Sequence, residues 1–463
     1  MRVDESLADY AISVAEKSGA EYAEAYLESS IASGYAVEQG VFNGAFYSDS
    51  TGLRVRLVKN RRMFTFSTNK LSREGVADAI RHFHGFKGID TVLSKEKVSN
   101  ASYEVSERKK IEDASTLEDL SDMDKALSEM KCLKFRSLYA GAGRAVTYFS
   151  NSEGSTIRSS VPGTFAVASI IVSSGKETRQ SVLQFGNTGG YEQFDAHAIK
   201  ACVVEKAKSM RNVLEKGVTL SKDSLRRVKN VVMAPEITGI AAHESVGHPC
   251  EADRVFGRES AQAGSSYLTK DTLGMEIGSG KVTLIDDPTI PHTNGFFLYD
   301  DEGTKARPKT LIKDGIQNEL LMDRSYAQVL GRNSNGTSRS DSYSNEPLIR
   351  MSNTYLQAGD ADFDELLSEA GDGIYLKSFM EWNIDDTRSF SRYQGNEAYL
   401  IKDGSICGPV KNFVLERSTL DFWHAVSLVG KEREFYIGTC GKGNPMQGVP
   451  VTMGGASALL RFR

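Results

Sequence analysis

The sequence predicts an α+β protein built in two parts, and three observations lead there. Strand-like alternation runs from Glu21 to Ser67, and beyond Lys281 short strands and turns recur. The strand patterns come in runs instead of alternating one by one with helices, which argues against a βαβ parallel sheet. Apolar residues make up 40% of the chain and charged residues 25%, the balance of a globular protein that buries a core. A single core stops growing well before 463 residues, so two domains are expected, residues 1–220 and 221–463.

Leu7, Tyr10, Ala11, Val14 and Ala15 recur at three- and four-residue steps up to Ser18-Gly19, which reads as an amphipathic helix. From Glu21 to Ser67 the pattern alternates, clearest where Leu53, Val55 and Leu57 interleave with Arg54 and Arg56. With Gly40, Asn43-Gly44 and Asp49 as turn signals, this is an antiparallel sheet with one wet face. Ser72 is placed to cap a second helix whose apolar side is Val76, Ala79, Ile80 and Phe83. Residues 87–115 are polar, carry the charge run Glu107 to Lys110, and read as a linker or mobile loop. An acidic helix from Leu117 to Met130 follows, then strands near Ala145–Phe149, Ile157, Phe165–Val172 and Ser181–Phe185, and a long helix from Ala196 to Glu215. Strands followed by a helix thus occur twice before residue 216, which hints at an internal duplication without a residue-level repeat. The first domain is accordingly mixed, with antiparallel sheets and helices.

Residues 227–234 form a short apolar strand, and Pro235 suits the first turn of a helix. Beyond Lys281 the chain is rich in short strands, with corners at Asp286-Asp287-Pro288, Asp300 to Gly303, Lys313-Asp314-Gly315 and Lys402-Asp403-Gly404. A mostly β, barrel-like domain carrying one metal-binding helix is expected there.

The formal charge of -5 offers no basic footprint for nucleic acid. No apolar run approaches the roughly 20 residues that cross a bilayer, and the first residues lack the layout of a secretory signal. Five cysteines, at 132, 202, 250, 407 and 440, form no disulfide framework. A cytoplasmic protein without membrane or nucleic-acid partners is the expectation.

Two of the seven histidines fall within His243-Glu244-Ser-Val-Gly-His248. Zinc peptidases commonly space two helical histidines by four, which puts both on one face beside a glutamate. Here the step is five, and at about 100° per residue the second histidine lies roughly 140° around a regular helix. Either a π-type bulge, or a helix that ends at Gly247 so that His248 swings back, would bring them together. Cys440, in a glycine-rich segment expected to form a tight loop, is the candidate third ligand. His2Cys is an accepted catalytic zinc set with a fourth position open. Glu244 would then take a proton from zinc-bound water as it attacks a peptide carbonyl. Cys250, two residues past His248, competes with Cys440 for the third place. If it joined as a fourth ligand, the zinc would be structural.

These segments, HESVGHPCEAD and GTCGKGNPMQGVPV, resemble the H-E-x-x-x-H-G-x-E-G-D and G-x-C-G-K motifs of the TldD/PmbA family, and more closely of its TldD branch. Similar stretches at Gly52–Arg56, Asp300–Gly303, Leu311–Gly315, Pro347–Tyr355 and Glu397–Gly404 spread the resemblance over essentially the whole chain. It implies a zinc peptidase acting on short or unfolded peptides, with Zn2+ on His243, His248 and Cys440 and Glu244 as base. It also implies a two-subunit assembly, a homodimer or a heterodimer with a related subunit. Among the departures from the motif, Pro249 replaces the usual glycine and Cys250 the usual apolar residue. Glu251 and Asp253 match the family's acidic pair and are expected to support the histidines. His82, His84, His197, His292 and His424 are assigned no metal role, and Arg339, Arg350, Tyr343 and Asn353 no site role. The alternative reading is a non-catalytic peptide-binding or assembly subunit, which predicts a missing metal motif.

Overall fold

The alternating N-terminal segments fold into strands of up to 19 residues, against about 5–6 for an ordinary strand. The computed structural model describes residues 4–81, 89–113, 115–257, 259 and 264–462; His82, Phe83 and His84 lie outside them. The first sheet runs in the order 89–90, 62–68, 41–59, 22–38, 133–151, 156–174 and 100–104, and strand Glu177–Thr188 also pairs with Thr156–Ser174. Each half of this region runs helix, three antiparallel strands, helix. The halves meet where Tyr22–Glu38 pairs antiparallel with Leu133–Asn151.

Two expectations change here. Asn43-Gly44 and Asp49 are not turns but lie inside strand Val41–Lys59. The register against Tyr22–Glu38 slips between Ala36 and Val37, so Asn43 is the extra residue of a bulge, a feature that uses the same residue types as a turn. The described part of the stretch 87–115, residues 89–113 and 115, is also no plain linker. Asn100–Glu104 pairs in parallel with Thr156–Ser160, and Arg324 Nη2 donates to Ser94 O at 2.6 Å. Both partners are far away in sequence, so local pattern could not reveal them.

The second sheet is mixed. Its order is 316–317, 309–313, 284–286, 353–356, 447–461, 230–233, 373–384, 390–402 and 405–410; Val426–Lys442 pairs with Gln447–Arg461 and Val414–Ser418 with Phe390–Lys402. Helix Pro235–Ala242 lies across it, with Pro235 in its first turn as expected. The helix approaches closely because Gly239 faces Gly454: a Cβ on Gly239 would stand 2.5 Å from the Gly454 nitrogen. Thr238 Oγ1 donates to Ala456 O at 2.9 Å and pins the contact. Helices Phe363–Ala370 and Thr419–His424 flank this sheet, making the fold α+β with a half-closed second sheet.

Buried charges join the two sheets. Arg56 Nη1 donates to Glu24 Oε1 at 2.9 Å and Nη2 to Glu302 Oε1 at 3.0 Å, while Arg54 reaches Asp301 at 3.4 Å. Two of the segments singled out in the sequence, Gly52–Arg56 and Asp300–Gly303, therefore face each other. At the other end Arg179 donates to the carbonyls of Asn396 and Lys411 at 2.7 and 2.6 Å. Removing one partner from a buried ion pair costs about 3–5 kcal/mol because the other charge stays buried. Arg56→Met is therefore expected to lower unfolding free energy by about that amount in chemical denaturation. A loss below about 1 kcal/mol, the value of an exposed pair, would contradict this account of the join.

Candidate metal centre

Helix Pro235–Ala242 runs without a break into a π-type turn, His243–Gly247, and then a tight turn, His248–Cys250. The His248 N–H donates to His243 O, a bond that spans five residues and takes one more residue per turn than an α-helix. The five-residue step then does the work of a four-residue one, and both imidazoles point to one side. Of the two routes open to the sequence, the chain takes the bulge. His248 keeps helical backbone angles, so the helix does not end at Gly247.

Side-chain bonds hold the bulge. Ser245 Oγ donates to Ala241 O at 2.6 Å and accepts from Trp423 Nε1 at 2.9 Å; Tyr267 Oη donates to Ser245 O at 2.9 Å. Gly247 is needed for space, since a Cβ there would stand 1.9 Å from the Met351 sulfur.

Cys440 arrives from the second sheet. It sits within strand Val426–Lys442, paired with Val449, not in the tight loop expected from its glycines. The potential ligand atoms of His243, His248 and Cys440 lie within 4.8 Å of one another, and all three residues are buried. His248 Nε2 is 3.5 Å from Cys440 Sγ. Cys250 is not part of the group: it is 0% exposed among the apolar residues of the main core, where burial pushes its thiol well up. Pro249 and Cys250 leave the family pattern without joining the group, and a set of three such residues would leave a fourth position open on a metal ion.

The surroundings suit a cation. Glu251, fully buried, accepts from His248 Nδ1 at 3.0 Å, from Arg254 Nε at 2.5 Å and from Lys442 Nζ at 3.1 Å. Burial alone would raise its carboxyl, but Lys442, His248 and Arg254 outweigh that and hold it well below the usual range. An ionised Glu251 makes Nδ1 of His248 the donor and leaves Nε2 free to ligate. Asp253 touches neither histidine; it accepts from Lys442 Nζ at 2.8 Å and so acts one step further back. His243 Nδ1 is buried with no hydrogen-bond partner, and burial keeps its imidazole below the ordinary value, neutral as a ligand must be. Burial would push the Cys440 thiol up, yet His248 and Arg350 bring it below the ordinary value. Donor set, orphaned imidazole nitrogen and thiol electrostatics all fit zinc. Glu244, buried at 8% exposure, has its carboxylate ion-paired with Arg388; burial raises its carboxyl, but His248, His243 and Arg388 outweigh that and hold it low.

The site opens on a cavity of ≈ 1560 Å³ bounded by both sheets, with Gln184, Asp195, Glu236, Trp382, Arg388 and Tyr436 among its walls. Sequence reasoning missed Arg388, Lys442 and Trp423. Lys442 stands in the quoted GTCGK segment, whereas nothing local marks Arg388 or Trp423. Arg350, set aside earlier, donates to Cys440 O.

Residues 226–461, just over half of the chain, match the family model for the PmbA/TldA metallopeptidase C-terminal domain, and residues 23–82 match that for domain 1. The chain belongs to the TldD/PmbA family. A protein named metalloprotease from Archaeoglobus fulgidus is 31% identical over 92% of this chain and 95% of its own length. Another of that name, from Methanothermobacter thermautotrophicus, is 34% identical over 68% of this chain, which spans only 65% of that relative. A zinc metalloprotease TldD homolog from Saccharolobus solfataricus is 26% identical, covering 96% of each. Among solved structures, TldE from Thermococcus kodakarensis shares the fold, with a TM-score of 0.77 at 17% identity over 99% of this chain and 98% of its own.

Within this TldD/PmbA site, the carboxylate behind a metal-binding histidine is commonly worth 10–100-fold in affinity. Glu251→Gln is expected to weaken zinc binding by roughly that factor in chelator competition, whereas Cys250→Ala leaves it unchanged. Equal affinity in wild type and Glu251→Gln, or loss in Cys250→Ala, would overturn these assignments.

Proposed function

We propose that this protein is a zinc-dependent peptidase that hydrolyses short or unfolded peptides, with zinc held by His243, His248 and Cys440. The single observation that carries the reading is the convergence of these three side chains, from one π-type turn and one strand, beside the buried carboxylate of Glu244. The names of the relatives support it. A zinc ion in such a site supplies Lewis acidity toward a peptide carbonyl and toward water.

The chain's own groups do the rest. Glu251 keeps His248 in the tautomer whose Nε2 is free. Glu244 accepts a proton from the attacking water and returns it to the leaving amine. The cavity exceeds the roughly 300–1,000 Å³ of small-molecule pockets, which suits an extended oligopeptide, and a folded domain would not enter it. A non-catalytic holding subunit would lack a ligand or the base, and all four residues are present.

Assembly as a homodimer, or with a related subunit, in the cytoplasm belongs to the same proposal. Light scattering that finds only monomer, alone and with a related subunit, would remove the assembly part. For the chemistry, Glu244→Ala is expected to retain one zinc per chain and to lose at least 100-fold in cleavage of an unfolded peptide, at the lower end of what positioned acid–base groups give, about 10²–10⁴-fold. Turnover at the wild-type rate would remove Glu244 from the mechanism.

A further inference from the structure

Arg388 sits at the tip of the hairpin that joins strands Gly373–Ile384 and Phe390–Lys402. Its φ is +62°, a left-handed conformation that residues other than glycine keep only where the surroundings over-determine it. Those surroundings are specific. Asp385 accepts from the Phe390 N–H at 2.7 Å, and the Arg388 N–H donates to Asp385 O at 3.0 Å. Thr419 donates from Oγ1 to Arg388 O at 2.7 Å and from its N–H to Ser389 O at 2.8 Å.

The tip thereby drives a guanidinium into the wall of the metal cavity, where Arg388 is 6% exposed. Nη1 donates to Glu244 Oε2 and also lies 3.4 Å from Glu244 O, while Nε is buried without a partner. Burying an arginine with an unused donor is costly. A strained backbone and an incompletely satisfied cation, both aimed at one carboxylate, mark a constraint kept for something other than stability.

We propose that Arg388 is a positioning residue for the peptidase reaction: it holds Oε2 of Glu244 and so leaves Oε1 as the oxygen that takes the proton of the attacking water. The inference rests on the role of Glu244 proposed above. One carboxylate oxygen is fixed to the hairpin, and Glu244 itself lines the cavity. Without the guanidinium the carboxylate can turn away, and small misplacements of a reacting group cost up to about 10²-fold.

Zinc-loaded wild type, Arg388→Ala, Arg388→Lys and Glu244→Ala are compared on a fluorogenic unfolded peptide, with zinc content measured for each. Arg388→Ala is expected to hold one zinc, lose roughly 10- to 100-fold in kcat and change KM by no more than about threefold. Arg388→Lys and added guanidinium ion each restore part of the loss, and guanidinium leaves Glu244→Ala inactive. In the metal-free proteins, the melting-temperature changes of Arg388→Ala and Glu244→Gln are expected to be non-additive in the double variant, as contacting residues are. An unchanged kcat in Arg388→Ala, a loss that resides in KM or in zinc content, or additive melting changes would overturn the proposal. If Glu244→Ala is inactive while Arg388→Ala matches wild type, only the role of Arg388 falls; if Glu244→Ala is active, the reading of the base falls first. Should Arg388→Ala fail to fold, Arg388→Lys carries the kinetic comparison, and wild-type kinetics there would likewise count against the proposal.

Discussion

The centre depends on one extra residue in one helical turn. An α-helix would separate His243 and His248 by roughly 140°, too far apart for one ion. The i→i+5 bond from His248 to His243 absorbs the excess. Its neighbours keep that bond in place: Ser245 Oγ donates to the Ala241 carbonyl, Trp423 and Tyr267 tie down Ser245, and Met351 fills the space that a side chain at 247 would need. Trp423 comes from a helix and Tyr267 and Met351 from irregular segments, so the bulge depends on the surrounding fold and not on the motif alone.

The same region concentrates buried charge, and each charge is answered. Glu251 is surrounded by Lys442, Arg254 and His248; Asp253 holds Lys442; Arg388 meets Glu244. Buried groups of this kind add little net stability and are strongly destabilising once a partner is lost. Their value here is orientation, fixing one tautomer of His248 and one placement of Glu244. The Glu24–Arg56–Glu302 bridge at the join of the sheets follows the same rule.

The gathering of His243, His248 and Cys440 was legible because it did not depend on periodicity alone: Cys440 sits in a second motif, and two motifs together outweigh an awkward spacing. The amphipathic helix at Glu5–Lys17, the cap at Ser72 and the helix start at Pro235 were legible for local reasons, since caps and prolines act on their own neighbours. What escaped depended on contacts remote in sequence. Asn43-Gly44 uses turn residues for a bulge, residues 100–104 find a strand more than fifty positions away, and Cys440 lies in a strand despite its glycines. Arg388 is the extreme case. It stands in an ordinary polar hairpin tip, and only the fold brings it to Glu244, 144 positions earlier.

Zinc X-ray absorption on the loaded protein tests the central claim most directly. The account predicts one sulfur at about 2.3 Å and two imidazole nitrogens at about 2.0–2.1 Å, with the rest of the sphere filled by light atoms that are not protein sulfur. A sphere with no sulfur, or with two, would contradict it.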